Sequence, residues 1–386
     1  MVSPSYPRLT QPPRGSFFLL GVRGVGKSTW ARDHFDRAHL INLLDEARYQ
    51  SLLADPGLFA DELRSVRKGG WVVVDEVQRI PGLLNEVHRF IEDRGLRFVL
   101  LGSSARKLRT GGTNLLAGRA QWRVMFPLVP EELGNDFSLE AALRHGTIPL
   151  VWTSGDRKRI LESYVQLYLR EEIKAEALVR NLPGFVRFLP IAALFHGQVV
   201  NISGIARDSG AARTTVSGYL EILEDTLLAF RLPAFEPRLR VRERKHPKLY
   251  WVDPGLVRAV KGQLDAVTAE ERGSLLEGWV LTVLRAYAQE REVFDEIFYW
   301  APTQSQRMEV DFLLRRGRDL LALEVKSSKR LSRSWLGGLK AIGELPRVVR
   351  RVIVYTGAER LTTTEGVDVW PLDHFHGSLQ QGRLWP

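Results

Sequence analysis

Short apolar runs punctuate the first hundred residues: Phe17-Phe18-Leu19-Leu20, residues 39–43, Trp71-Val72-Val73-Val74 and Phe98-Val99-Leu100-Leu101. Their length and their Val, Leu and Phe content predict buried strands. Between them, residues 57–67 and 82–93 place apolar side chains at helical spacing, and Pro81 suits a helix start. Strands alternating with helices predict a doubly wound parallel sheet, with a ligand at the C-terminal strand edges. From about Ser154 to Ala229 helical periodicity takes over, with Ile160, Leu161, Tyr164, Leu167, Tyr168 and Ile173 on one stripe. Residues 202–223 read as helix–turn–helix: Ile202, Ile205 and Ala206 face a core, Gly210 turns, and Val216, Leu220 and Leu223 anchor a second helix. Residues 228–249 suit a β-hairpin wing. Beyond 255 the pattern is mixed again, with a helix at 275–288, strands at 296–300, 308–314, 320–326 and 349–355, and a hairpin turn at 315–319.

The fold class is therefore α/β in three units: a P-loop ATPase domain over 1–153, a helical winged-helix domain over 154–254, and an α/β restriction-endonuclease-like domain over 255–386. A chain of 386 residues is too long for one ordinary core. The absence of cysteine excludes disulfides, thiolate zinc sites and cysteine nucleophiles. No apolar stretch approaches the ~20 residues that span a bilayer, and residues 1–15 lack a signal-peptide core. The expected location is cytoplasmic, with no membrane partner. The net charge of +10 favours a polyanionic partner, nucleic acid before membrane.

Residues 21–28, Gly-Val-Arg-Gly-Val-Gly-Lys-Ser, complete a G-x-x-x-x-G-K-[ST] phosphate loop between a strand and a helix. Its backbone from Gly21 through Arg23, Gly24, Val25, Gly26, Lys27, Ser28 and Thr29 is expected to cradle the phosphates of ATP. Lys27 suits the β- and γ-phosphates, and Ser28 suits Mg²⁺. Trp71–Val74 delivers Asp75 and Glu76 to the strand edge, Asp75 for Mg²⁺ and Glu76 to polarise the attacking water. After the third strand, Ser103 or Ser104 is expected to sense the γ-phosphate, the other reading being a helix N-cap. Arg119 suits an arginine finger reaching a neighbouring subunit, which would imply a homo-oligomer, a hexamer or other ring; it also suits a sensor.

Arg213, Thr214 and Thr215 open the second helix of the helix–turn–helix and face outward, as a DNA groove requires. In the hairpin, Arg238, Arg240 and Arg242 alternate along one strand face beside Arg231 and Lys248, a comb for DNA phosphates. Farther on, Asp311 leads one strand and Glu324-Val325-Lys326 ends the next. Pairing those strands brings Asp311, Glu324 and Lys326 together, and Glu277 on the preceding helix completes a metal site. Mg²⁺ or Mn²⁺ held there activates water for phosphodiester cleavage, and the lysine orients water or neutralises charge. The other reading is the charged outer face of a hairpin.

The Glu277, Asp311, Glu324-x-Lys326 layout resembles the PD-(D/E)XK nuclease fold, with Val310 where the motif's proline would stand. The chain as a whole resembles a widespread prokaryotic family that joins an AAA-type P-loop ATPase to a C-terminal domain of unknown function. That family is similar to archaeal-type ATPases and contains a winged helix and a restriction-endonuclease-like domain. The matching stretches are Gly21–Thr29, Val72–Pro81, Leu100–Ser104, Leu116–Arg119, Phe126–Leu128, Gly146–Pro149, Tyr168–Arg170, Glu221–Leu223, Glu309–Phe312 and Glu324–Ser328. Trp30 is a departure, where smaller residues are common. The resemblance implies ATP and Mg²⁺ binding and names no substrate. The expected function is ATP-dependent DNA processing with metal-dependent cleavage. The rival is an ATP-driven switch that binds DNA or a partner protein through its winged helix without cutting.

Overall fold

In the computed structural model, described over residues 6–106, 108, 116–169, 181–236, 246–302 and 308–386, fourteen strands form three sheets. The first contains β1 (Ser16–Leu20), β2 (His39–Asn42), β3 (Trp71–Asp75), β4 (Arg97–Gly102) and β5 (Ala120–Val124), in the order β2-β3-β4-β1-β5. All four pairings are parallel. Both faces are buried, so alternate residues feed two cores. Phe17, Leu19, Val73, Val99 and Leu101 point one way. Phe18, Leu20, Val72, Val74, Phe98 and Leu100 point the other, onto the helices Gly57–Ser65 and Leu83–Arg94. Because β4 lies between β1 and β3, the residues after β4 emerge between the phosphate loop and Asp75-Glu76.

The middle of the chain is helical. The helices Ile202–Ser209 and Arg213–Asp225 are joined across Gly210, whose φ of +66° only glycine adopts readily. Beside them a small antiparallel sheet pairs β6 (Gln198–Val199), β8 (Lys248–Trp251) and β7 (Ala229–Leu232).

The third sheet runs β13 (Leu361–Thr362), β14 (Asp368–Pro371), β12 (Val348–Tyr355), β11 (Asp319–Lys326), β10 (Val310–Arg316) and β9 (Glu296–Trp300). β9, β10 and β11 are antiparallel, whereas β11, β12 and β14 are parallel. The 23-residue helix Ala269–Arg291 packs on it, opened by a capping box of Thr268 and Glu271. The apolar cluster on one face of the first sheet continues through Phe188, Leu223, Trp251 and Trp279 to Phe375 and Trp385. The three regions thus share one core. Among the described residues no helix is long and apolar enough to cross a membrane.

Candidate active sites

The phosphate loop leaves β1 and enters the helix Lys27–His34. Gly24 and Gly26 have φ of +77° and +96°, a region closed to side chains without strain, and this turns the loop. A Cβ on Gly21 would lie 2.6 Å from the Met125 carbonyl oxygen. Lys27 is buried and donates to its own loop, to the carbonyls of Gly21 (2.7 Å) and Val22 (3.3 Å). Ser28 lines two cavities of about 490 Å³ each: one with Tyr6, Lys27 and Glu76, the other with Asn42 and Asp75. Trp30 packs edge-on to Phe17 and donates to the Thr10 carbonyl at 3.1 Å, so it is a core residue.

Asp75 ends β3, with its carboxylate accepting the Glu76 N–H at 3.0 Å. Glu76 has φ 57° and ψ 43°, left-handed backbone that is strained for a residue with a side chain and is found mostly at functional sites. The Gln78 amide donates to Glu76 and, at 3.1 Å, to the Ser103 hydroxyl. Ser103 Oγ stands 3.5 Å from Glu76 Oε2. Ser104 faces away and accepts the Arg106 N–H at 3.3 Å. Of the two serines, Ser103 is therefore the one beside Glu76. Gln78 drew no notice in the sequence, and its only signal is its place two residues beyond Asp75-Glu76.

Arg8 was equally silent. Its guanidinium is almost buried and reaches Val25 O (2.6 Å), Phe126 O (2.5 Å) and Glu132 Oε1 (3.0 Å). Glu132 also accepts the N–H groups of Leu9 and Val129. The N-terminal segment is thereby stitched across the phosphate loop.

Arg119 lies on the turn before β5. Ala120 pairs with Ser16, at the start of β1, so Arg119 stands at the sheet edge opposite the phosphate loop. The sheet separates them by roughly 13 Å of strand, and Arg119 pairs with Glu92. As a sensor of nucleotide on its own subunit Arg119 is excluded by this topology.

Of the proposed DNA contacts, Arg213 and Thr214 are exposed at the start of their helix and Thr215 is half-buried. Arg238, Arg240 and Arg242 lie outside the described residues, as does Arg170. The other two cations of the comb turn inward: Arg231 pairs with Glu224, and Lys248 is buried.

The C-terminal side chains do converge. Asp311 and Glu324 are cross-strand neighbours one step beyond the Phe312–Leu323 pair. The Asp311 N–H donates to Glu324 Oε2 at 3.3 Å, and the Val325 N–H donates to Asp311 Oδ2 at 2.8 Å. The β10–β9 register shifts between Val310 and Leu313, a bulge of the kind that re-aims a side chain. Lys326 Nζ lies 2.5 Å from Glu324 Oε1. Glu277 is engaged by two residues the sequence did not assign to this site, Lys248 (3.2 Å) and Tyr250. Burial, then the Asp311 charge, raises Glu277 to about 7 and Glu324 to about 8. The two lysines hold part of the acid cluster, and no three acidic or imidazole groups among the described residues converge as a cation site. A larger cavity, about 1070 Å³ and lined by Lys329, Tyr355 and Thr356, holds none of these side chains.

Residues 14–134 match the family model described as AAA domain. The N-terminal region is an AAA-type P-loop domain. The loop at 21–28, the Asp75-Glu76 pair and the parallel sheet all fall within it. Beyond the AAA domain, residues 136–266 and 272–375 match two domains of unknown function (DUF8612 and DUF4143). An uncharacterized protein of Mycobacterium tuberculosis is 28% identical over 373 residues, covering 92% of this chain and 79% of its own length. One from Haemophilus influenzae is 22% identical over 286 residues, 69% of this chain and 68% of its own. Among solved structures, the Aeropyrum pernix ORC1 protein in complex with DNA is 16% identical, covering 66% of this chain and 87% of that one at a TM-score of 0.28. At a TM-score this low that likeness carries none of the functional argument.

Proposed function

We propose that the chain hydrolyses Mg²⁺-ATP in its AAA domain and uses that turnover to process DNA, cutting it with a divalent cation at the C-terminal cluster. In the AAA domain, Lys27 leaves its loop carbonyls for the phosphates, and Ser28 with Asp75 holds Mg²⁺. Glu76, oriented by Gln78 and Ser103, aligns water for attack at the γ-phosphorus. Arg119, far from its own phosphate loop, suits only a neighbouring subunit, in keeping with a homo-oligomeric ring.

The pairing of Asp311 with Glu324 across β10 and β11 carries the cleavage reading. These two carboxylates fit one Mg²⁺ or Mn²⁺, which supplies a Lewis acid and an activated water. Lys326 offsets charge on the phosphate. The exposed start of the Arg213–Asp225 helix, with Arg213, Thr214 and Thr215, suits contact with the duplex. So does the sequence comb at 238, 240 and 242.

One observation favours the non-nucleolytic switch: lysines already occupy part of the acidic cluster. A labelled DNA panel of single strand, duplex, fork and four-way junction separates the two. It is incubated with Mg²⁺ or Mn²⁺, with and without ATP. Cleavage is expected in wild type and absent in Asp311→Ala, and Lys27→Ala abolishes phosphate release. Intact DNA in every lane, with ATP turnover normal, would give the answer to the switch.

A further inference from the structure

Side chains alternate along β8, so Lys248 and Tyr250 share one face. That face meets the Ala269–Arg291 helix, and both residues close on a single oxygen. Lys248 Nζ lies 3.2 Å from Glu277 Oε1, and the Tyr250 hydroxyl donates to the same atom. Lys248 also pairs with Glu309, and its ammonium lies 5.5 Å from the Tyr299 ring centroid. It is only 3% exposed. A lysine this deep persists only where acids compensate its lost hydration. Here the compensation is ample, because Glu277, Asp311 and Glu309 hold its proton more tightly than usual against the opposing pull of burial.

The charges of the cluster limit what it can accept. Glu277, Glu309, Asp311 and Glu324 face two ammoniums, Lys248 and Lys326. With all of them ionised, the surplus equals the charge of one divalent cation, and a second would overfill it. We propose that Lys248, braced by Tyr250, is a built-in cation of the C-terminal site. It claims Glu277 and Glu309 and leaves room for a single Mg²⁺ or Mn²⁺ at Asp311 and Glu324. Lys248 is then a positioning residue that fixes the metal count, and Glu277 is its partner instead of a ligand. The inference rests on the cluster being a divalent-cation site.

Mn²⁺ titration calorimetry on the nucleotide-free full chain tests it. Wild type is expected to bind one Mn²⁺, and Asp311→Ala none. Lys248→Met should bind two, with a larger Mn²⁺-dependent rise in Tm, while Lys248→Arg stays at one. A Lys248→Met protein that binds one Mn²⁺ with unchanged affinity and Tm response overturns the proposal. Should that variant not fold, Glu277→Gln decides. Mn²⁺ affinity within about threefold of wild type supports Lys248 as the partner of Glu277, and a loss of about tenfold or more makes Glu277 a ligand and refutes it. If wild type and Asp311→Ala titrate alike, the cluster is not a cation site, and the reading beneath this inference fails first.

Discussion

Single residues in this chain carry charge states that burial decides. His196 is 4% exposed and accepts the Trp251 N–H at Nδ1, 3.0 Å away, so its other nitrogen bears the proton of a neutral ring. Burial, with Lys261 adding to it, pushes its pKa down to about 3. Because the folded value lies below the unfolded 6.5, the stability this neutral ring contributes is complete above pH 6.5 and is lost as pH falls toward 3. His145 and His376, both pushed to about 4, act in the same direction. Glu277 and Glu324, raised instead, act in the opposite one. The difference between wild type and His196→Gln cancels these shared terms. Thermal unfolding from pH 7 to pH 4 should show a steeper loss of Tm in wild type, with the glutamine variant ahead by several kcal/mol at the acid end. Parallel curves would place the proton elsewhere.

Among the elements, the phosphate loop has its own brace. Glycine conformation lets the loop turn, but the Arg8–Glu132 pair holds it against the sheet. Removing a buried guanidinium leaves Glu132 charged and the Val25 and Phe126 carbonyls without that donor. Arg8→Ala should therefore lower stability by about 3–5 kcal/mol, and it should raise the KM for ATP more than it lowers kcat. Arg8→Lys recovers charge without the fork and should fall between them. Steady-state phosphate release beside calorimetry checks this. An unaltered KM would reduce Arg8 to a structural clamp. Elements also separate what the sequence disclosed from what it hid. The apolar runs and glycine signature of β1, β3 and β4 were plain, as were the helix–turn–helix and the β10–β11 hairpin. β5, β13 and β14 were missed: β5, Ala-Gln-Trp-Arg-Val, is an edge strand with two exposed side chains and no apolar run to betray it.

At the scale of the whole molecule, the seam between the AAA domain and the rest is made of backbone. Asp253, directly after β8, accepts the Thr147 N–H (2.7 Å) and caps the next helix through the Leu256 N–H (3.0 Å). Gly146 sits at φ +74°, and a Cβ there would collide with the Asp253 carboxylate. Two positions from Ile148, the Leu150 N–H donates to Gly24 of the phosphate loop at 3.1 Å. At the other end, Gln289 pairs with both the N–H and the carbonyl of Val124 on β5. The helix that bears Glu277 is thus tied to the AAA sheet. Gly146→Ala should lower the Tm of one shared transition, by the equivalent of about 3 kcal/mol or more. Gly155→Ala, with nothing within 4 Å, should be near neutral. Two separate transitions in calorimetry would contradict the common core. The sequence by itself determined the phosphate loop, the acidic strand end, and the Asp311 and Glu324-x-Lys326 pairing, because local spacing dictates each of them. Only the tertiary structure decided that Gln78 and Ser103 flank Glu76, that Arg119 lies across the sheet, and that Lys248 leaves the basic comb for Glu277. Those outcomes depend on strand order and on which distant surfaces bury together, and neither has a signature in neighbouring residues.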